Sequence, residues 1–116
     1  MNEYLPAYYD TLRRFLATGD PDMRLTHVGL GTSGAAAATE LTDAHVVPIS
    51  ATVMPPDNPQ RLLIRWVVPP GDAIGLPIRE VGLLRGDGVL VARMVRTSPI
   101  EKTADMEVGD WWELDV

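Results

Sequence analysis

Ile78-Arg79-Glu80-Val81-Gly82-Leu83-Leu84-Arg85-Gly86-Asp87-Gly88-Val89-Leu90-Val91-Ala92-Arg93-Met94-Val95 is the stretch whose reading decides the fold. Two apolar runs flank residues that accept positive φ, and Asp87-Gly88 is a favoured two-residue connection between antiparallel strands. The pattern predicts a β-hairpin over 78–95 with Asp87 and Gly88 at its centre. That centre sets Leu84 opposite Val91, Gly82 opposite Arg93 and Glu80 opposite Val95, so that Glu80, Gly82 and Arg93 share one face. Because Gly82 carries no side chain, Arg93 can lean diagonally toward Glu80, a cross-strand charge pair worth a few tenths to about 1 kcal/mol. Glu80 is therefore read as structural rather than catalytic. Arg85-Gly86-Asp87 also spells the tripeptide read by integrins, but a hairpin turn favours these residues for its own reasons.

Outward from the hairpin, further strands follow. In Arg61-Leu62-Leu63-Ile64-Arg65-Trp66-Val67-Val68 the side chains of Leu62, Ile64, Trp66 and Val68 share one face and Arg61 and Arg65 the other, which predicts a half-buried strand. Val47, Ile49, Ala51 and Val53 alternate as a second strand, which Pro48 places at an edge or bulge because it lacks a ladder donor. Pro55-Pro56-Asp57-Asn58-Pro59 joins the two as a stiff loop, and Pro69-Pro70-Gly71-Asp72-Ala73-Ile74-Gly75 forms another. Toward the end, Trp112, Leu114 and Val116 fall on one strand face and Trp111, Glu113 and Asp115 on the other. Trp111 is the odd residue, to be covered by a loop or helix or to serve as an interface aromatic.

Before the β region, Leu5, Tyr8, Tyr9, Leu12, Phe15 and Leu16 recur at helical spacing, with Asp10, Arg13 and Arg14 opposite. This predicts an amphipathic helix over 5–16, capped by Asn2, with Pro6 in its first turn and Gly19 and Pro21 ending it. Its apolar stripe packs on the chain's own sheet or on a neighbouring subunit. The whole reads as mainly β, an antiparallel β-sandwich or partly rolled sheet with one amino-terminal α-helix. The helix occupies 1–20 and the β domain 21–116 of a single structural domain.

Composition narrows the function classes. The 116 residues fit one domain with one modest core. With 46% hydrophobic and 22% charged residues the balance is globular, and no apolar run approaches the roughly 20 residues of a membrane span. The first residues, Met1-Asn2-Glu3-Tyr4-Leu5-Pro6, lack the basic and apolar regions of a secretory signal, so synthesis in a cytoplasm and no membrane insertion are expected. The absence of cysteine removes disulfides, thiolate metal sites and one class of nucleophile. A net charge of −6 disfavours binding along a phosphate backbone, and the basic residues fall in separate pairs rather than one run. Nucleic acid is not an expected partner.

Gly29-Leu30-Gly31-Thr32-Ser33-Gly34 matches the glycine spacing of a dinucleotide site, before the helix-prone 35–41. A dinucleotide-binding unit would need parallel crossovers and an acidic residue about 20 positions on. Asp57, beyond Pro55-Pro56, is a poor candidate, and hairpins follow instead. Glu40, Asp43 and His45 lie near one another in sequence without a recognised ligand spacing. His27 reads as packed or hydrogen-bonded, and Ser33, Ser50 and Ser98 lack a nucleophile-elbow setting. No catalytic residue, cofactor or metal ligand is expected.

Four pieces in order, His27-Val28-Gly29-Leu30-Gly31-Thr32, Thr39-Glu40-Leu41, the Ile78–Ala92 region and Ile100-Glu101-Lys102-Thr103, resemble the amino-terminal attachment domains of bacteriophage tail fibre and tail-collar proteins. The resemblance runs from Leu25 to the end of the sequence. It implies a structural virion protein, made in the host cytoplasm and located in the tail, which docks a fibre or spike to other tail or baseplate proteins. With no long fibre sequence following, it implies a baseplate or adaptor piece. It also implies a homo-oligomer, often a trimer, with the Ile-x-Glu-x-Gly-Leu stretch as β scaffold and Gly29 and Gly31 giving a tight, close-packed bend. The alternative is a small carbohydrate- or receptor-binding module of the tail tip. Leu5, Tyr8, Tyr9, Leu12, Phe15, Leu16 and Trp111 are the expected interface residues. Gly29, Gly31, Glu80, Gly82, Asp87, Gly88 and Arg93 are the expected structural ones.

Overall fold

The computed structural model describes residues 2–58 and 60–115; Pro59 and Val116, assigned above to a loop and a strand face, lie outside them. The chain is mainly β, with two antiparallel sheets and one amino-terminal helix in a sandwich-like arrangement. In chain order the elements are β1 (Asn2–Tyr4), α1 (Pro6–Thr18), a 3-10 turn (Pro21–Met23), β2 (Leu25–Gly31), β3 (His45–Pro48), β4 (Ala51–Val53), β5 (Arg61–Val68), β6 (Pro77–Arg85), β7 (Leu90–Glu101) and β8 (Val108–Asp115). The larger sheet runs β1-β7-β6-β2-β3 and the smaller β4-β5-β8.

Apolar alternation explains the core. Val28 and Leu30 of β2, Val81 and Leu83 of β6, and Val91 and Ala92 of β7 face Ile64, Trp66 and Val68 of β5 and Trp112 and Leu114 of β8. These residues are buried, as expected for strands with one face turned to a partner sheet.

The hairpin forms, with a different turn. Gly88 N–H bonds to Arg85 O and Arg85 N–H to Val89 O, so Gly86 and Asp87 are the central pair and Gly88 follows at φ 86. Gly82 still faces Arg93 and Glu80 faces Val95, but Leu84 pairs with Leu90 rather than Val91. Val91 is left as the extra residue of a β-bulge. The bulge restores the expected register beyond it and turns both Val91 and Ala92 toward the core.

The strand expected over 47–53 breaks in two. Ile49 N–H bonds to Thr26 O in the larger sheet, and the next amide, Ser50, bonds to Arg65 O in the smaller. Adjacent residues thus belong to different sheets, and Pro48, lacking an N–H, sits at the last position of the edge strand β3. At the amino terminus Asn2 does not cap the helix: it lies in β1 opposite Met94, and Leu5 is the N-cap with no side-chain bond. Gly19 closes α1 as expected, in the left-handed region at φ 65 with its N–H on Phe15 O.

Candidate docking surfaces

The structural residues come together on the outer face of the larger sheet. Arg93 Nε donates to Glu80 Oε1 at 2.8 Å, and both side chains are fully buried. The second carboxylate oxygen accepts the Ser33 amide at 3.0 Å and the Thr42 amide at 2.9 Å. From Arg93, the two terminal nitrogens donate to Ala35 O at 2.8 Å and Ser33 O at 3.3 Å. One ion pair therefore grips both ends of the segment 32–44. Four backbone groups supply the bonds that let a charged pair be buried without stranding either charge.

This clasp accounts for two differences from expectation. Residues 35–41 form no helix; the Ser33 and Thr42 amides and the Ser33 and Ala35 carbonyls, which bracket them, are committed to Glu80 and Arg93. Gly29 and Gly31 do not make a bend; both lie within β2 with no positive φ. Their lack of side chains makes a seat instead. A Cβ on Gly29 or Gly82 would meet the Leu41 side chain, and one on Gly31 would meet the Glu80 carboxylate.

The expected interface residues separate. Along α1, Tyr8 is buried against Tyr4, their ring centroids 4.7 Å apart, and Leu5 and Leu12 are half-buried. Tyr9 remains 62% exposed, Leu16 83% and Phe15 38%. The flank of the helix does not close on the sandwich. An apolar cavity of about 320 Å³ lies between α1 and the two sheets, walled by Tyr8, Leu12, Phe15, Leu62, Ile64 and Leu114.

On the outer face of the smaller sheet, Trp111 is 42% exposed. The Arg65 guanidinium lies 5.7 Å from its ring centroid, a cation–π contact between residues paired across β5 and β8. Arg61 approaches Glu113 at 3.7 Å on the same face.

Surface charges elsewhere are locally matched. Asp10 accepts from Arg13 at 2.6 Å and lies 2.8 Å from Arg14, and the Arg13 hydrogen bond holds its carboxyl below the ordinary range. Asp87 accepts from Arg85, which lowers the Asp87 pKa; Arg85 also donates to Thr11 of α1 at 3.0 Å. The arginine of the integrin-like tripeptide is thus tied into its own turn and helix. His45 Nε2 lies 3.0 Å from Asp72 Oδ2, and the contact lowers the Asp72 pKa. Among the described residues, no three or more His, Asp or Glu side chains gather to hold a cation, so Glu40, Asp43 and His45 do not converge.

Sequence reasoning missed the clasp's grip on residues 32–44 and the burial of Lys102, whose Nζ donates to Pro69 O at 3.0 Å and Thr103 O at 3.2 Å. A readable signal did exist for the first. Gly29, Gly31 and Gly82 share one sheet face, and glycines so grouped mark a close approach of other atoms. No helix of the described residues is long and apolar enough to cross a membrane. No family model, curated protein or solved structure matches the chain.

Proposed function

We propose that this chain is a structural docking component of a phage tail or related injection machine, an adaptor that holds a fibre or spike to the baseplate and works as a homo-oligomer. The carrying observation is the distribution of exposed apolar side chains. Tyr9, Phe15 and Leu16 along α1 and Trp111 on the smaller sheet stay in solvent on a domain that buries Tyr8, Trp66 and Trp112. Such residues are enriched at interface cores. The motif resemblance supports the same reading, and no catalytic step or cofactor is assigned.

The test compares wild type with Trp111→Ala and with a Tyr9→Asp/Leu16→Asp double variant for incorporation into tail particles, read by sedimentation and imaging. Both variants keep their fold on this reading, since they touch exposed side chains, and both lose incorporation. Equal incorporation of all three would sink it. Glycan binding by a fully active isolated monomer, lost with Trp111→Ala, would replace it with the sugar-binding alternative, which the half-exposed Trp111 beside Arg65 and Glu113 favours.

A further inference from the structure

We propose that β8 is a docking edge, which takes up by strand addition an extended partner segment carrying lysine or arginine at alternate positions. This names the partner chemistry for a role that rests on the docking reading above. As the outer strand of the smaller sheet, β8 pairs with β5 residue for residue, from Arg61 opposite Asp115 to Val68 opposite Val108, with no bulge. It contains no proline. An unbroken edge strand of this length is a template for another strand.

Which backbone groups face outward follows from β5. Arg65 O accepts from Ser50 on the β4 side, and Arg61 N–H turns to Asn58 O. Odd-numbered residues of β5 therefore direct their backbone groups away from β8, and even-numbered ones toward it, since directions alternate along a strand. By register, the even-numbered residues of β8 answer β5, and Gly109 and Trp111 face the open side. The Trp111 amide agrees: it bonds to the Asp110 carboxylate at 2.8 Å. Gly109, exposed and without a side chain, offers an incoming strand an unobstructed backbone.

Charge selects the occupant. Within β8 the sequence carries Asp110, Glu113 and Asp115 and no base, with Glu101, Asp105 and Glu107 shortly before it and Arg61 of β5 3.7 Å from Glu113. A second copy of β8 would bring acids beside acids, and like charges facing across strands are destabilising. A basic strand meets both demands. Its backbone completes the edge and displaces Asp110 from the Trp111 amide, and its alternate cations share the outer face with Glu113.

The test titrates the full chain calorimetrically with a short peptide alternating valine with lysine, and with its glutamate counterpart, while amide exchange at Gly109 is followed by NMR. The lysine peptide should bind at least about tenfold tighter and protect the Gly109 amide. An Asp110→Lys/Glu113→Lys variant, changed only at exposed positions, should reverse the preference. Equal binding of both peptides, binding without Gly109 protection, or salt-stabilised dimerisation through β8 would each overturn the proposal. Failure here with normal dependence of particle incorporation on Trp111 would strike the basic-strand partner alone and leave the docking reading standing.

Discussion

The two outer faces of the sandwich are finished in opposite ways. Over the larger sheet, the segment 32–44 is drawn down by a buried glutamate and arginine onto a floor of glycines. Over the smaller sheet, Trp111 and Arg65 lie against each other in the open, and β8 ends the sheet without a cover. A small domain that closes one face with its own chain and leaves the other bare has a direction. On the proposed docking reading, partners would meet that sheet face and the exposed flank of α1.

The sharpest way to break this contrast is to remove the clasp. Glu80→Ala removes the buried carboxylate that binds Arg93 and the Ser33 and Thr42 amides, and should cost about 3–5 kcal/mol in urea unfolding. Replacing both partners with leucines should cost far less, because no charge is stranded. A loss below about 1 kcal/mol for Glu80→Ala, the range of a surface pair, would mean that the pair is not truly sealed. Next in size, Gly31→Ala sets a methyl where the Glu80 carboxylate lies and should destabilise by about 1–3 kcal/mol as the clasp shifts. Gly19→Ala offers a control, since its added methyl meets no atom and only its φ of 65 is penalised.

On the open face the signs differ. Trp111→Ala should move folding stability by no more than about 0.5 kcal/mol while weakening association by about 2 kcal/mol or more, measured by denaturation and by sedimentation of the assembly. A large folding penalty would show Trp111 to be part of the core after all. The smallest effect concerns pH. Asp10, Asp72 and Asp87 have lowered pKa values in the folded chain. Their unfolded forms bind protons more readily, so their contribution is complete above the ordinary aspartate value of about 3.9 and fades as pH falls through the lower folded values. Asp72→Asn should flatten the acid limb of a stability curve slightly. Asp87 is exposed and Asp10 and Asp72 are half-exposed, and an effect rivalling Glu80→Ala would contradict that surface placement.

Much of this architecture was readable from local patterns. Alternation located the buried faces of β5 and β8, and the Gly82 gap correctly placed Arg93 within reach of Glu80. What local patterns could not carry was anything decided between distant segments. Alanine-rich 35–41 favours helix by propensity, yet four side-chain bonds from Glu80 and Arg93 to Ser33, Ala35 and Thr42 tie down its two ends, a tertiary override of a weak preference. The turn centre slipped by one because Asp87-Gly88 and Gly86-Asp87 both suit a hairpin, and the extra residues at Gly88 and Val91 together absorb the difference. At the docking surfaces, spacing alone gave a single stripe along α1. It could not tell Tyr8, which lies against Tyr4, from Tyr9, which points to solvent.

The corner at Ile49 and Ser50 has one more consequence, in time rather than in space. The chain changes sheets there, again between β5 and β6, and again between β7 and β8, so neither sheet is a continuous stretch of sequence. Half of the molecule cannot form and wait for the other half. Loops must close across the sequence before the pairings repay them, which places folding in the slow, millisecond-to-second class of non-local β proteins. During that interval β8, last in the chain and paired with β5 in its middle, is the strand most exposed to a wrong neighbour. Its three carboxylates, Asp110, Glu113 and Asp115, then disfavour pairing with the β8 of another copy.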